Sequence, residues 1–440
     1  MKILKLKQTN IKLQISQLED FNKKITNTLE EQGYSFSKIK LQNFELSSNN
    51  IFADLYISYS KARKIDNVIY KEYTNFPKKF TTNFFNIDKN TIFNQQIIKK
   101  ISILSQSLNF IEEIKPPEVL FKKDSTLLYM YIKRKQNNSF DGLINFNSEE
   151  NGKLAFNGHL DLKLNNVLNR GENFELFWNS LGNTSQELLV NVKTPYIFNT
   201  KITPNLGFTL FKQDSTFINT KLYLHTSYQI KANTNLSLSF QSENSNTSRT
   251  TQELSSFNNF FFGLGYNFKI PSNSFFNNNK FNLAISGKYG QRITSQRTNQ
   301  IQIATDISYF INLKRRSAIY LRNKASLLNS DSFLQNELYR IGGVNSVRGF
   351  NNKSIFTDRF TIQQIEYRYQ TSRKAYLYSI TDLAIAVQNK IQQQLFGLGL
   401  GYTFSSNNSK INLSAVTGNN VKQQINIRNT QLLINWTTFF

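Results

Sequence analysis

Residues 154–163 read "LAFNGHLDLK". Leu154, Phe156, Gly158, Leu160 and Leu162 fall on one parity, and Ala155, Asn157, His159, Asp161 and Lys163 on the other. Successive side chains of a strand point to opposite faces, so this period gives one apolar and one polar face. The same alternation returns in "KLYLHTSY" (221–228), "NLSLSFQS" (235–242) and "FNLAISGK" (281–288). Asn/Ser/Thr-rich turns such as "QSENSNTSRT" (241–250) and "PSNSFFNNN" (271–279) punctuate the runs. About sixteen such runs follow residue 139, each with its connection taking about 19 residues, which suits an antiparallel membrane barrel with strands of about ten. A soluble sandwich or solenoid also alternates. Three features favour the membrane. Outward positions are Leu, Ile, Phe and Tyr; aromatics gather near strand ends; and the sequence finishes on "QLLINWTTFF" (431–440), with Leu432, Ile434, Trp436, Thr438 and Phe440 on one face. In a soluble fold that bare apolar strand would be an aggregation-prone edge, which a closed barrel lacks. Trp436 and Phe440 are read as a C-terminal barrel signal.

Composition sets the outer bounds. The 440 residues are 39% hydrophobic with a mean hydropathy of −0.43. No run of eighteen apolar residues is present, which excludes a conventional transmembrane helix and leaves a barrel open. The net charge is +24, but it is spread along the chain without a basic tail or zinc-finger spacing, so nucleic acid is not an expected partner. With no cysteine, disulfide frameworks, thiolate metal sites and cysteine nucleophiles are excluded. The two histidines, His159 and His225, sit on alternating strand faces and share no metal-ligand spacing; no enzyme activity, metal or cofactor is expected. "MKILKLKQTNIKLQ" (1–14) lacks the apolar core of a secretory leader, so export implies a leader removed or lying upstream.

Before residue 139 the pattern is mixed. Leu18, Phe21, Ile25 and Leu29 form one helical stripe, with Gly33 placed to end the helix. The runs "FSKIKLQNF" (36–44) and "IFADLYISY" (51–59) read as strands. The order then repeats: a strand in "KIDNVIYKEY" (64–73), a helix carrying Ile97, Ile98, Ile101, Leu104 and Leu108 on one face, and strands in "PPEVLF" (116–121) and "TLLYMYIKR" (126–134). Residues 1–61 and 62–138 therefore read as two small α+β modules, the first short at its start, and 139–440 as the barrel.

One segment stands out in this glycine-poor chain: "LYRIGGVNSVRGF" (338–350), between the eleventh run "RSAIYLRNKASLL" (316–328) and the twelfth, "RFTIQQIEYRYQ" (359–370). Alternation places Gln364, Glu366 and Arg368 on the inward face of the twelfth run, and Asp382 inward on the next beside Ala384 and Ala386. In "LFGLGLGYTF" (395–404), Gly397, Gly399 and Gly401 face in. Two inward carboxylates followed by a wall without side chains make a cradle for a loop folded into the lumen. Arg348 is the natural cation, since a planar guanidinium takes a carboxylate bidentately. Gly349 permits the turn, and Val347 and Phe350 pack on the wall. Plainer readings stand beside this one: a solvated Arg348, a porin-like charge ladder of Glu366 and Arg368, and glycines that only relieve crowding. A phosphate-cradling loop is disfavoured by the missing Lys-Ser/Thr and following helix.

"VRGF" (Val347, Arg348, Gly349, Phe350), in this loop and followed by "IEYRY", "ITDLAIA", "GLGLGY" and "NWTTFF", resembles the signature of the BamA/TamA/two-partner-secretion superfamily of outer-membrane barrels, in a Bacteroidetes-type form. The resemblance spans essentially the whole chain, resting on pattern alone in the N-terminal part. It implies periplasmic POTRA modules (β-α-α-β-β units) before a sixteen-stranded outer-membrane barrel. It also implies that Arg348 pairs in the lumen with Asp382, in the counterpart of the family's F-x-D-x-G strand, and with Glu366. The chain departs from that pattern at Ala384, where the family has glycine, and at Ile380, where it has an aromatic. The activity implied is insertion or translocation of unfolded outer-membrane or secreted polypeptides, without bond chemistry. Outer-membrane lipids and accessory lipoproteins are the implied partners. Strand addition at POTRA edges would capture substrate, and the seam between "SFDGLINFN" (139–147) and "LLINWTTFF" (432–440) would open to it. Two-partner secretion of a dedicated polypeptide is the alternative; a plain porin is disfavoured by the modules.

Overall fold

The computed structural model describes residues 10–48, 50–148, 154–181, 185–248, 251, 253–406, 408–423 and 429–440. The chain divides into two compact units, residues 1–135 and 136–440.

In the first unit, α1 (Leu18–Glu31) turns Ile25 and Leu29 inward, as the three-four spacing of its apolar residues requires. The helix stops before Gly33, whose φ of +90° is the left-handed conformation that favours glycine. A two-stranded antiparallel sheet follows, β1 (Lys38–Ser47) with β2 (Asn50–Ser58). The next elements run β3 (Asn67–Glu72), α2 (Lys78–Asn83), α3 (Gln95–Ser107), β4 (Ile111–Phe121) and β5 (Thr126–Arg134). They make a sheet of order β3-β5-β4, with β3 parallel and β4 antiparallel to β5. The short helix α2 escaped the periodicity reading because six residues cannot display a stripe. Asn94 caps α3 by accepting from the Ile97 N–H at 2.8 Å. Leu128, Met130 and Ile132 on β5 and Ile101 and Leu104 on α3 are buried, with Phe76, Phe80 and Phe110 completing an aromatic core. The C-terminal end of α1 is tied to the start of α3: Glu30 Oε1 accepts from the Gln95 N–H and Glu31 Oε1 from Gln96 Nε2, both at 2.7 Å.

The second unit is a closed antiparallel barrel of sixteen strands among the described residues. They are β6 (Ser139–Ser148), β7 (Leu154–Asn165), β8 (Asn173–Leu181), β9 (Ser185–Lys193), β10 (Ile202–Gln213), β11 (Phe217–Lys231), β12 (Thr234–Thr247) and β13 (Phe257–Ser274). Then come β14 (Asn277–Ile293), β15 (Arg297–Lys314) and β16 (Ser317–Ser330). A connection holds two short paired strands, β17 (Tyr339–Ile341) and β18 (Ile355–Thr357). β19 (Arg359–Ser372), β20 (Ala375–Gln388), β21 (Ile391–Ser405), β22 (Ser409–Asn420) and β23 (Thr430–Phe439) finish the wall. The connection carrying "VRGF" thus joins the eleventh and twelfth barrel strands. Alternation sets the two faces: Leu383 and Ile385 on β20 and Leu398 and Leu400 on β21 are exposed outward, whereas Asp382, Ala384 and Ala386 are buried inward. Trp436 and Phe440 are exposed.

Closure of the barrel is uneven. Neighbouring strands elsewhere pair over eight residues or more, for example Asn205↔Lys193 to Gln213↔Ser185 between β10 and β9. Between β23 and β6, Thr438↔Phe140 and Phe439↔Ser139 are the two pairs among the described residues. The Phe440 N–H donates to the Asn138 carbonyl at 3.0 Å at the same end, and among the described residues Asp141–Ser148 and Thr430–Thr437 are not paired with each other, so the seam is held at one end. Unpaired backbone N–H and C=O groups along such an edge are a template for another strand.

Candidate functional site in the barrel lumen

Sequence-adjacent residues do the folding of the loop into the lumen. Gly342 and Gly343 have φ of +109° and +92°, and the Gly343 N–H donates to the Val347 carbonyl at 3.1 Å, closing a tight turn. Val347 is fully buried in an apolar cluster with Ile341, Phe360, Ile362, Ala384, Ala386 and Leu395, against which Phe350 packs. This burial sets the depth at which the next residue, Arg348, emerges.

Arg348 is 7% exposed, Glu366 6% and Asp382 0%. The Arg348 backbone N–H and Nε both donate to Asp382 Oδ2, at 2.9 and 2.8 Å, and Nη2 donates to Oδ1 at 2.6 Å. Nη1 donates to Glu366 Oε1 at 2.6 Å. Arg368 then approaches the other Glu366 oxygen at 2.8 Å through Nη2, and its Nη1 donates a hydrogen bond to the Phe276 carbonyl at 2.9 Å. One guanidinium therefore serves two carboxylates, and a second guanidinium balances the charge. Burial alone would lower the Arg348 pKa; the hydrogen bonds and charges of Asp382 and Glu366 outweigh it and raise the pKa above the usual arginine value.

The three lumen glycines divide the work. A Cβ on Gly397 would lie 2.2 Å from the Arg348 carbonyl oxygen, so this glycine makes room for the loop backbone. At Gly401 the same space is filled by the Tyr378 ring, and at Gly399 it meets the Ala415 carbonyl oxygen. The wall expected to be bare against the loop is therefore bare at Gly397 only. Gly349, with φ of +89°, lies against Gly418 on β22, where a Cβ would come within 2.4 Å of the Gly418 nitrogen. Gly397→Ala is expected to overpack this contact, at about 1–3 kcal/mol. The check is the temperature at which the folded barrel loses its fast electrophoretic mobility; an unchanged temperature would show that the loop backbone does not need this space.

The rest of the loop is anchored around the lumen by residues the sequence reading left unassigned. Glu337 is paired with Arg292 on β14 and accepts from Gln300 Nε2 on β15 at 2.9 Å. Asn336 donates to Ser245 Oγ on β12 at 2.7 Å, and its carbonyl accepts from Asn219 Nδ2 on β11 at 2.5 Å. Lys353 pairs with Glu187 on β9. At the tip, Asn351 Oδ1 accepts from Gln431 Nε2 on the last strand at 3.0 Å. Arg340, for which the sequence offered no partner, lies 3.8 Å over the Phe211 ring and donates to the Asn336 carbonyl at 3.3 Å. Its burial lowers its pKa to about 10. Other inward pairs complete the lumen: Arg322 with Asp306 at 2.6 Å, Lys221 with Glu243 at 3.1 Å, and Lys163 with Asp161 at 2.9 Å and Glu175 at 3.7 Å. His159 Nε2 lies 3.1 Å from Asp141 Oδ1 on the inward face of β6 and β7. The arrangement fastens a loop.

No family model and no curated protein matches the chain by sequence. Solved structures do match by fold. BamA from Haemophilus ducreyi lacking POTRA domains 1–3 aligns over 100% of this chain and 96% of its own, at 12% identity and a TM-score of 0.52. CdiB from Escherichia coli aligns over 97% and 85%, at 14% identity and a TM-score of 0.59. CdiB from Acinetobacter baumannii aligns over 98% and 88%, at 13% and 0.59. With its sixteen strands closed in this order and its eleventh connection folded inward, the chain has the fold of the BamA and CdiB barrels.

Proposed function

We propose that this chain is an outer-membrane protein-assembly factor of the BamA/TamA type. Its N-terminal unit sits in the periplasm as POTRA modules that capture unfolded polypeptides, and its barrel inserts them at the seam. The observation that carries the reading is the seam itself: two residue pairs close a wall whose other strand pairs run much longer. Lateral separation there breaks few hydrogen bonds and exposes two edges to an incoming strand. The lumen loop holds the remaining wall in shape while this happens, because it binds β19 and β20 through Arg348 and β23 through Asn351. The β-α-α-β-β order of residues 67–134 supports a POTRA module, with the shorter 10–58 region as an incomplete one. Exposed apolar residues on the β1–β2 sheet, among them Phe44, Leu46 and Phe52, suit capture of extended chains.

A second reading, export of one dedicated polypeptide through the lumen, is favoured by the likeness to two CdiB structures and by two modules in place of a longer array. Depletion of the protein followed by outer-membrane and secreted proteomics separates the two. Assembly predicts loss of many barrel proteins; export predicts loss of one secreted polypeptide with the barrels intact. No change in either set would refute both. A gene for a large secreted β-helical partner beside this one would favour export.

A further inference from the structure

The lumen's charges do not balance. The inward carboxylates described above are partnered: Glu366 and Asp382 share Arg348, Glu337 has Arg292, Glu187 has Lys353, Glu243 has Lys221, Asp306 has Arg322, Asp161 and Glu175 share Lys163, and Asp141 lies beside His159. Among the described residues, Lys193 on β9, Lys269 on β13 and Lys288 on β14 point inward by strand parity and have no carboxylate within ion-pair distance. Lys288 donates to the neutral Gln241 Oε1 at 2.7 Å.

Register places Lys193 and Lys288 at the two ends of a continuous strip of wall, with Lys269 six residues along β13 from the strip's Gly263 and opposite Asn282. Lys193, Asn205, His225, Ser239, Gly263 and Lys288 lie opposite one another in turn from β9 to β14. The neighbouring row is Ser227, Ser237, Gly265 and Ser286. The Lys288 stem crosses Gly263 so closely that a Cβ there would meet Cγ at 2.6 Å. Apart from the His225 imidazole, the strip offers short side chains, hydroxyls and ammonium groups; the next inward row, which carries Tyr223 and Phe261, borders it on one side. A surface of that kind accommodates backbone and repels cations.

We propose that this strip is the seat of an extended acidic polypeptide segment, its carboxylates held by Lys193, Lys269 and Lys288. The proposal rests on the reading above that the barrel handles unfolded polypeptides, and adds the charge class of what enters the lumen. Strand-like backbone fits the serine and glycine rows. Carboxylates spaced along it would meet ammonium groups in a confined space, where charge pairs are stronger than in bulk water.

The test uses the full chain in detergent micelles and fluorescent twelve-residue probes of alternating Glu/Ser, Gln/Ser or Lys/Ser, read by anisotropy. The Glu/Ser probe is expected to bind at least about tenfold tighter than Gln/Ser, with Lys/Ser weakest, and to weaken as salt shortens the Debye length. K193Q/K269Q/K288Q, which keeps side-chain volume, is expected to bring the Glu/Ser to Gln/Ser ratio close to one. K193E/K269E/K288E is expected to favour Lys/Ser. A surface control on exposed hairpin turns of the barrel, R315E/K390E/K422E, is expected to keep the wild-type order. Equal binding of Glu/Ser and Gln/Ser to the wild type overturns the acidic preference and leaves polypeptide handling standing. Binding of neither overturns both. A wild-type preference retained by the Gln variant, or lost in the surface control, overturns the seat.

Discussion

Arg348→Ala is expected to destabilise the barrel by about 3–5 kcal/mol, because it strands two buried carboxylates. Asp382 loses both side-chain donors of its bidentate partner and the loop tip loses its pin. Glu366 keeps Arg368. The measured effect is a lower temperature for loss of the folded electrophoretic form, together with impaired substrate assembly. Residues 10–135 keep their fold, because their core contains none of these groups. Arg348→Lys gives an intermediate loss, since an ammonium cannot fork across both carboxylates. Adding Asp382→Ala to Arg348→Ala is expected to recover part of the stability by removing a buried unpaired charge. A wild-type melting temperature and wild-type assembly in Arg348→Ala would show that Arg348 does not fasten the loop in the lumen.

The second large effect concerns the seam. The chain has no cysteine, so an introduced pair is the only thiol chemistry present. Leu143→Cys with Asn435→Cys places two thiols on facing stretches of β6 and β23 beyond the two existing pairs. Extending the observed register would set these positions opposite each other. Oxidation is expected to close the seam, leave the barrel folded, and abolish insertion of client barrels; reduction is expected to restore it. Export through the lumen would survive the same lock. Full assembly activity in the oxidised variant would rule out the seam as the insertion site, so this experiment also separates the two functional readings.

Much of the wall and part of the site were legible because both depend on short-range order. A period of two fixes which side chain faces in, so Glu366, Arg368, Asp382 and Gly397 could be put on the lumen side of three consecutive strands without knowing the barrel's shape. Glycines at 342, 343 and 349 marked a sharp path for the same local reason. Ala384 and Ile380, which depart from the family pattern, lie on the same buried face as Asp382, and Ala384 packs in the loop's apolar cluster. What alternation cannot supply is which strands face one another across the lumen, or how far each pair runs. Arg292 and Glu337, Lys353 and Glu187, and Arg340 over Phe211 meet because the wall curves shut and the loop crosses it. These partners are separated by 45 and 166 residues in the first two cases. The two-pair seam is likewise a product of closure, since β6 and β23 each read as ordinary ten-residue strands. Local sequence decided the face of every side chain; only the closed barrel decided its neighbour.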